Sequence, residues 1–297
     1  MTLIPGFAER RVATSAAAIA VAVGGSGPPL LLLHGYPETH VCWHKVAPAL
    51  ARSFTVVCPD LRGYGASRLT AAETPDHAAF SKRAMAQDQV ETMAALGFER
   101  FAAAGHDRGG RAAYRLALDH PGRVTRLAVL DIVPTLEQFE RMNQASALSA
   151  YHWLFLAQKF DLPERLIAEQ SDYYLDWTIA SWVAPGAALA PEAMAEYRRA
   201  FREPSAIHAA CEDYRAGATI DCEIDRADRD AGRRIACPVL ALWGGRRRGG
   251  AAAAAGPLDT WRRWADRVEG GPVDCGHFLP EEAPDAVAPA LAAFFGA

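Results

Sequence analysis

Gly105-His106-Asp107-Arg108-Gly109-Gly110-Arg111 joins a short apolar run, residues 101–104, to a stretch with helical spacing, residues 109–118. A strand that turns straight into a helix crowds its own backbone, and small residues two positions to either side of the turn relieve the crowding. Gly105 and Gly109 stand at those positions, with Asp107 at the strained centre, where such a turn presents a nucleophile. Taken alone, the stretch also reads as an ordinary glycine-containing turn with a helix-capping aspartate.

Working outward from that turn, short apolar runs alternate with helical stretches, the pattern of a mainly parallel sheet wrapped by helices. Residues 11–13 and 19–23 predict an opening hairpin. Residues 30–33 predict a buried strand ending in His34-Gly35-Tyr36-Pro37, and residues 55–58 another ending in Pro59-Asp60-Leu61-Arg62-Gly63-Tyr64-Gly65. A helix is expected over 81–96 and a strand over 124–130. Residues 134–229 then hold helical, aromatic-rich stretches without a strand series. Strand-like runs return at 239–243 and 267–273, followed by a helix expected over 281–295. This order predicts an α/β core in two parts, residues 1–133 and 231–297, with a helical cap of residues 134–230 inserted between them. Ligand sites in open α/β sheets lie at the carboxyl ends of the strands, so a lobe inserted there would roof the site.

Composition excludes several classes. The 297 residues carry 31 basic and 35 acidic side chains, a formal net charge of -4. That balance gives no general attraction to nucleic acid or anionic lipid. The basic set is lopsided, with three lysines beside 28 arginines, and alanine is equally over-used at 61 residues, so base composition explains most of the arginine excess. The six cysteines are scattered without zinc-like or disulfide-like spacing. His40 and His44 lie four apart but lack a third ligand or a base between them, so no metal is expected. The N-terminus has no basic segment followed by an apolar core, and the longest aliphatic run, residues 30–33, cannot span a bilayer. A cytoplasmic protein is expected, with no nucleic-acid or membrane partner. Gly244-Gly245-Arg246-Arg247-Arg248-Gly249-Gly250, five alanines and Gly256 form a low-complexity stretch that reads as a solvated loop.

A triad in the chain order nucleophile, acid, histidine requires partners on loops after later strands. His277 fits the last place, in Asp274-Cys275-Gly276-His277-Phe278 between the final strand and the final helix. Asp131 fits the acid, at the end of the strand after the turn's helix. The commoner acid position follows the next core strand, where residues 244–256 offer no carboxylate. An aspartate is already anionic at neutral pH and needs no base in order to attack. It suits displacement at a saturated carbon, forming an alkyl ester of Asp107. His277, oriented by Asp131, would then activate the water that hydrolyses the ester.

From residues 34–37 through 60–65 and 105–111 to Gly276-His277-Phe278, the sequence resembles the α/β-hydrolase-fold dehalogenases and epoxide hydrolases, and within them the fluoroacetate (haloacetate) dehalogenases. The resemblance implies an α/β-hydrolase fold, a mainly parallel eight-stranded sheet flanked by helices with an inserted helical cap domain. It implies that Arg108 and Arg111 hold the substrate carboxylate. Independently of it, a forked guanidinium pairs bidentately with a carboxylate, and a cation beside Asp107 lessens the repulsion between two anions. Tyr151-His152-Trp153 and Asp213-Tyr214-Arg215 match motifs that supply halide donors in the family, so His152, Trp153 and Tyr214 are expected to bind the departing halide. By themselves these aromatics read more readily as packing. His34 and Tyr36 lie in the loop that faces the nucleophile in this fold and are further pocket candidates. The family commonly forms homodimers.

The expected activity is hydrolysis of a short 2-halo acid, haloacetate or fluoroacetate, to the hydroxy acid and halide. A small anionic substrate and water are the only partners, and no metal or organic cofactor is required. The rivals are an epoxide hydrolase, kept open by Tyr151, Tyr173, Tyr174 and Tyr214, and a catalytically silent member of the fold that binds a small acid.

Overall fold

The computed structural model describes residues 3–246 and 256–296. Its strands are β1 (Ala8–Ala13), β2 (Ala17–Gly24), β3 (Pro29–Leu33), β4 (Thr55–Pro59), β5 (Arg68–Leu69), β6 (Phe101–His106), β7 (Val124–Leu130), β8 (Val239–Gly244) and β9 (Val268–Val273). They form one sheet in the order β1-β2-β4-β3-β6-β7-β8-β9, with β5 paired to β2 beside that path. The pairings of β2 with β1, β4 and β5 are antiparallel, and the rest are parallel. Among the described residues the sheet therefore has nine strands where eight were expected. β4 covers only Val21–Gly24 of β2, and the loop beyond β4 returns to pair Arg68 and Leu69 with Ala18 and Ala17.

Leu30, Leu31, Leu32 and Leu33 of β3 and every residue of β6 are buried, as befits central parallel strands covered on both faces. Helix Asp107–Asp119 leaves β6 directly and packs between β6, β7 and helix Lys82–Ala95. Its approach depends on the glycines that opened the sequence reading. A Cβ on Gly105 would lie 2.4 Å from the Gly109 carbonyl oxygen, and one on Gly109 would lie 2.3 Å from that of His34. No side chain fits at either place.

Between β7 and β8 the chain is helical, from helix Thr135–Glu140 to helix Ile220–Asp230. The helix expected over 281–295 is broken into Leu279–Glu282 and Pro284–Gly296. The cause is Pro284, which disfavours helical geometry at the preceding residue, and Ala283 accordingly takes φ -135° and ψ 50°. Of the low-complexity stretch, residues 247–255 lie outside the described residues. Among the described residues no helix is long and apolar enough to cross a membrane.

Candidate active site

Asp107 has φ +43°, in the left-handed region that a non-glycine side chain enters at a cost of about 1–3 kcal/mol. The strain projects its carboxylate into a cavity of about 420 Å³ also lined by Arg111, Asp131, His152, Trp153, Trp182 and His277. The Tyr36 backbone N–H donates to Asp107 Oδ2 at 3.1 Å. That contact holds one oxygen and leaves the other for attack. Burial alone would raise the Asp107 pKa, but the surrounding His277, Arg111, His106 and Arg108 outweigh it and hold the group well below the usual carboxylate range.

His277 and Asp131 meet from loops 146 positions apart, with Nδ1 2.5 Å from Oδ2. Asp131 also sits in the left-handed region, at φ +56°. Its N–H donates to the Leu242 carbonyl at 2.8 Å, and its Oδ1 accepts from the Gly244 N–H at 3.1 Å. The end of β8 thus fixes the carboxylate that orients the histidine. Gly244 permits this approach, because a Cβ there would fall 2.0 Å from the Gly276 carbonyl oxygen. The His277 N–H donates to the Trp182 carbonyl at 3.0 Å, which ties the loop to the helical segment. With Nδ1 on Asp131, Nε2 is the nitrogen left to take a proton from water.

The two arginines do not share one fate. Arg111 lines the cavity; its Nη1 donates to the Val133 carbonyl at 2.9 Å and to Thr135 Oγ1 at 3.3 Å, while its Nε has no hydrogen-bond partner among the described residues. Arg108 is fully buried and does not line the cavity. Its Nε and Nη2 donate to Asp213 Oδ2 and Oδ1 at 2.9 and 2.6 Å, and Nη2 also reaches the Asp213 carbonyl at 2.8 Å. Asp213 is further bonded by Lys82 and by Tyr64 Oη, the latter at 2.8 Å. A buried guanidinium needs a counter-ion, and Asp213 holds two of the Arg108 nitrogens, so Nη1 rather than the whole fork is what Arg108 can offer a substrate carboxylate. Of the Arg108 nitrogens, Nη1 has no partner among the described residues.

His152 and Trp153 line the cavity, and Tyr214 lies just behind them. The Tyr214 ring is 5.7 Å from that of His152 and 5.6 Å from that of Trp153, and its buried Oη has no hydrogen-bond partner among the described residues. Arg108 and Arg111 sit 5.3 and 4.4 Å from the Trp153 ring. Neither further candidate contributes its side chain to the cavity lining. His34 is fully buried; its Nδ1 donates to the Gly35 carbonyl at 2.8 Å and its Nε2 accepts from the Leu61 N–H at 2.9 Å, so it is a neutral latch between two loops. Tyr36 acts through its N–H, and its ring packs 5.3 Å from Tyr214. His40, in a 3-10 turn, pairs with Asp60 at 2.8 Å, and among the described residues no group of side chains is placed to hold a metal ion.

Three residues escaped the sequence reading. Trp182 packs 4.5 Å from the His152 ring and 5.2 Å from that of His277, joining the two sides of the cavity. Asp213 pairs with both Arg108 and Lys82, and Lys82 also lies 3.8 Å from Asp221, so two carboxylates balance the two cations. Asp213 stands directly before Tyr214, and Lys82, one of three lysines in an arginine-rich chain, was a further signal.

The profile of the α/β hydrolase fold matches residues 28–284. The chain belongs to the α/β-hydrolase-fold family. Within that family it is 45% identical over 296 residues to a fluoroacetate dehalogenase from Burkholderia sp, covering 98% of this chain and 95% of that one. A soluble epoxide hydrolase from Corynebacterium sp. (strain C12) is 37% identical over 91% of each chain. Among solved structures of the fold, a variant of a candidate epoxide hydrolase from Pseudomonas aeruginosa with bound MFA superposes with a TM-score of 0.93 at 52% identity, covering 100% of this chain and 98% of that one.

Proposed function

We propose that this protein is a hydrolytic dehalogenase that converts a short 2-halo acid, haloacetate with fluoroacetate included, to the hydroxy acid and halide. The observation that carries the reading is an aspartate nucleophile and a substrate-accessible arginine in one cavity with a histidine–aspartate pair. Arg111 presents its unpartnered Nε to the substrate carboxylate, and the free Nη1 of Arg108 adds a second donor while Asp213 steadies its fork. The free Asp107 oxygen attacks the halogen-bearing carbon, and the carbon–halogen bond breaks as the ester forms. His152, Trp153 and Tyr214 donate to the departing halide, where fixed donors stabilise the charge developing in the transition state. Water then attacks the Asp107 carboxyl carbon and gives its proton to His277, which Asp131 orients. The similarity to fluoroacetate dehalogenase supports this reading over the alternatives.

Of the four tyrosines that kept an epoxide hydrolase open, Tyr151 lines the cavity, whereas Tyr173 is exposed at 68% and Tyr214 lies behind the lining. Residues 134–230 act in this reading as the cap over a core of residues 1–133 and 231–297. The large apolar side chains the cap exposes, among them Leu148, Phe160, Leu166, Tyr173 and Trp177, support a homodimer formed through it, which light scattering in solution tests. Six free, buried thiols suit a reducing, cytoplasmic setting. The deciding experiment measures halide release from fluoroacetate, chloroacetate and a chloroalkane of similar size, beside diol formation from an epoxide. Chloroacetate turned over far faster than the chloroalkane supports the reading; equal rates, or turnover of the epoxide alone, overturn it.

A further inference from the structure

His106, the residue before the nucleophile, is fully buried, and both of its ring nitrogens face acceptors. Nε2 lies 2.8 Å from the carbonyl oxygen of His277, which can only accept, so Nε2 carries a hydrogen. Nδ1 lies 2.9 Å from Glu38 Oε2. A proton is shared between them, and imidazole is the stronger base of the two, so the ring is an imidazolium facing a carboxylate. Among the described residues Glu38 Oε1 has no hydrogen-bond partner, and His106 is the ion that pairs with Glu38. Asp107 and Asp131 face the ring as well, the His277 ring lies 4.7 Å away, and Glu281 approaches from helix Leu279–Glu282. Burial and the nearby Glu38 push Glu281 up to about 8, so it adds little charge at neutral pH. A Cβ on Gly35 would touch both Asp107 Cβ at 2.7 Å and His106 Nδ1 at 2.9 Å, which places the imidazolium against the nucleophile.

We propose that His106 is a positioning residue that remains an imidazolium throughout turnover, pinning the loops of Glu38, Asp107 and His277 together and setting a fixed positive charge behind the Asp107 carboxyl. Its role rests on the ester mechanism above. When water attacks the ester carbon, its proton passes to His277 and the ester carbonyl oxygen becomes negative. Collapse breaks the bond from that carbon to the product oxygen, which leaves with the His277 proton as the hydroxy acid. The remaining hydroxyl proton goes to solvent as the Asp107 carboxylate re-forms. A fixed cation favours the oxyanion of this step and the re-formed carboxylate, whereas it gives ester formation no such help. Burial opposes the charge, but Glu38, Asp107 and Asp131 outweigh it and push His106 up to about 9.

The test follows haloacetate turnover from about pH 6 to about pH 10 in the native protein and in E38Q, E38D and H106Q, with nitrogen-15 spectra of the native histidine rings. The native rate is expected to fall along an alkaline limb as His106 loses its proton. E38Q should move that limb down by about one pH unit or more, E38D by less, and H106Q should abolish it while raising the fraction of ester-linked protein seen by intact-mass spectrometry. A uniform fall in rate with the limb unmoved would mean a merely structural role and overturn the proposal. So would a native spectrum at neutral pH with only one protonated nitrogen on His106, a readout that holds even if a variant does not fold. Absence of haloacetate turnover in the native protein refutes the ester reading instead, and the spectrum still decides the charge.

Discussion

The two sides of the cavity are built on different principles. The side made by the strand ends is charged, hydrogen-bonded and strained, with Asp107 and Asp131 both at positive φ and each carboxylate held by a backbone N–H. The side made by the helical segment is aromatic, with His152, Trp153 and Trp182 packed ring against ring. Reacting groups need fixed orientation, and a backbone that cannot relax supplies it. A leaving halide needs donors around a small, dry space, and aromatic rings supply both. In the proposed reaction the strand ends carry the chemistry and the helical side holds the departing halide.

If the sides divide the work in this way, their variants separate by size and by kind. D107N removes the nucleophile and should lower kcat on the order of 10^4-fold, read as halide release. H277N should lower steady-state kcat on the order of 10^3-fold while still releasing about one halide per site, with the ester visible by mass. Loss of that single turnover would break the assignment of His277 to the second step. R111Q should raise the KM for chloroacetate on the order of 10 to 100-fold, with little effect on a chloroalkane. On the helical side, W153F should cost about tenfold, and more with fluoroacetate than with chloroacetate, because fluoride is the poorer leaving group. An equal loss with both substrates would reduce the aromatic side to packing.

A smaller effect sharpens the comparison from behind the strand ends. The His106 pKa is raised from 6.5 to about 9 in the folded protein. Its ion pair with Glu38 therefore stabilises the fold in full below pH 6.5 and is lost as the pH rises through about 9. Tm should decline across that window in the native protein, and this component should be missing from H106Q.

The strand-end side was the legible one. Its signals are local or ordered along the chain: glycines flanking Asp107, then a strand ending in Asp131 and a loop carrying His277. Each is a consequence of backbone geometry, which short motifs encode. The nine-strand count was not legible, since Arg68 and Leu69 become a strand only because β4 leaves half of β2 uncovered. The fate of Arg108 was hidden for a similar reason. Its partner Asp213 stands 105 positions away and reaches it only once helix Pro204–Ala218 has docked on the core. His106 lay within the motif that opened the reading, yet its charge depends on Glu38, 68 positions earlier. On the helical side, single residues such as His152 and Trp153 could be assigned a role only through resemblance, because an aromatic cluster reads equally well as core.

Single-turnover hydrolysis of chloroacetate in heavy-oxygen water, with excess protein, tests the central claim most directly. An ester on Asp107 predicts one heavy oxygen in the Asp107 carboxylate and none in the first glycolate released. Label in that first glycolate with none on Asp107 would mean that water attacks the substrate directly, and would contradict the account.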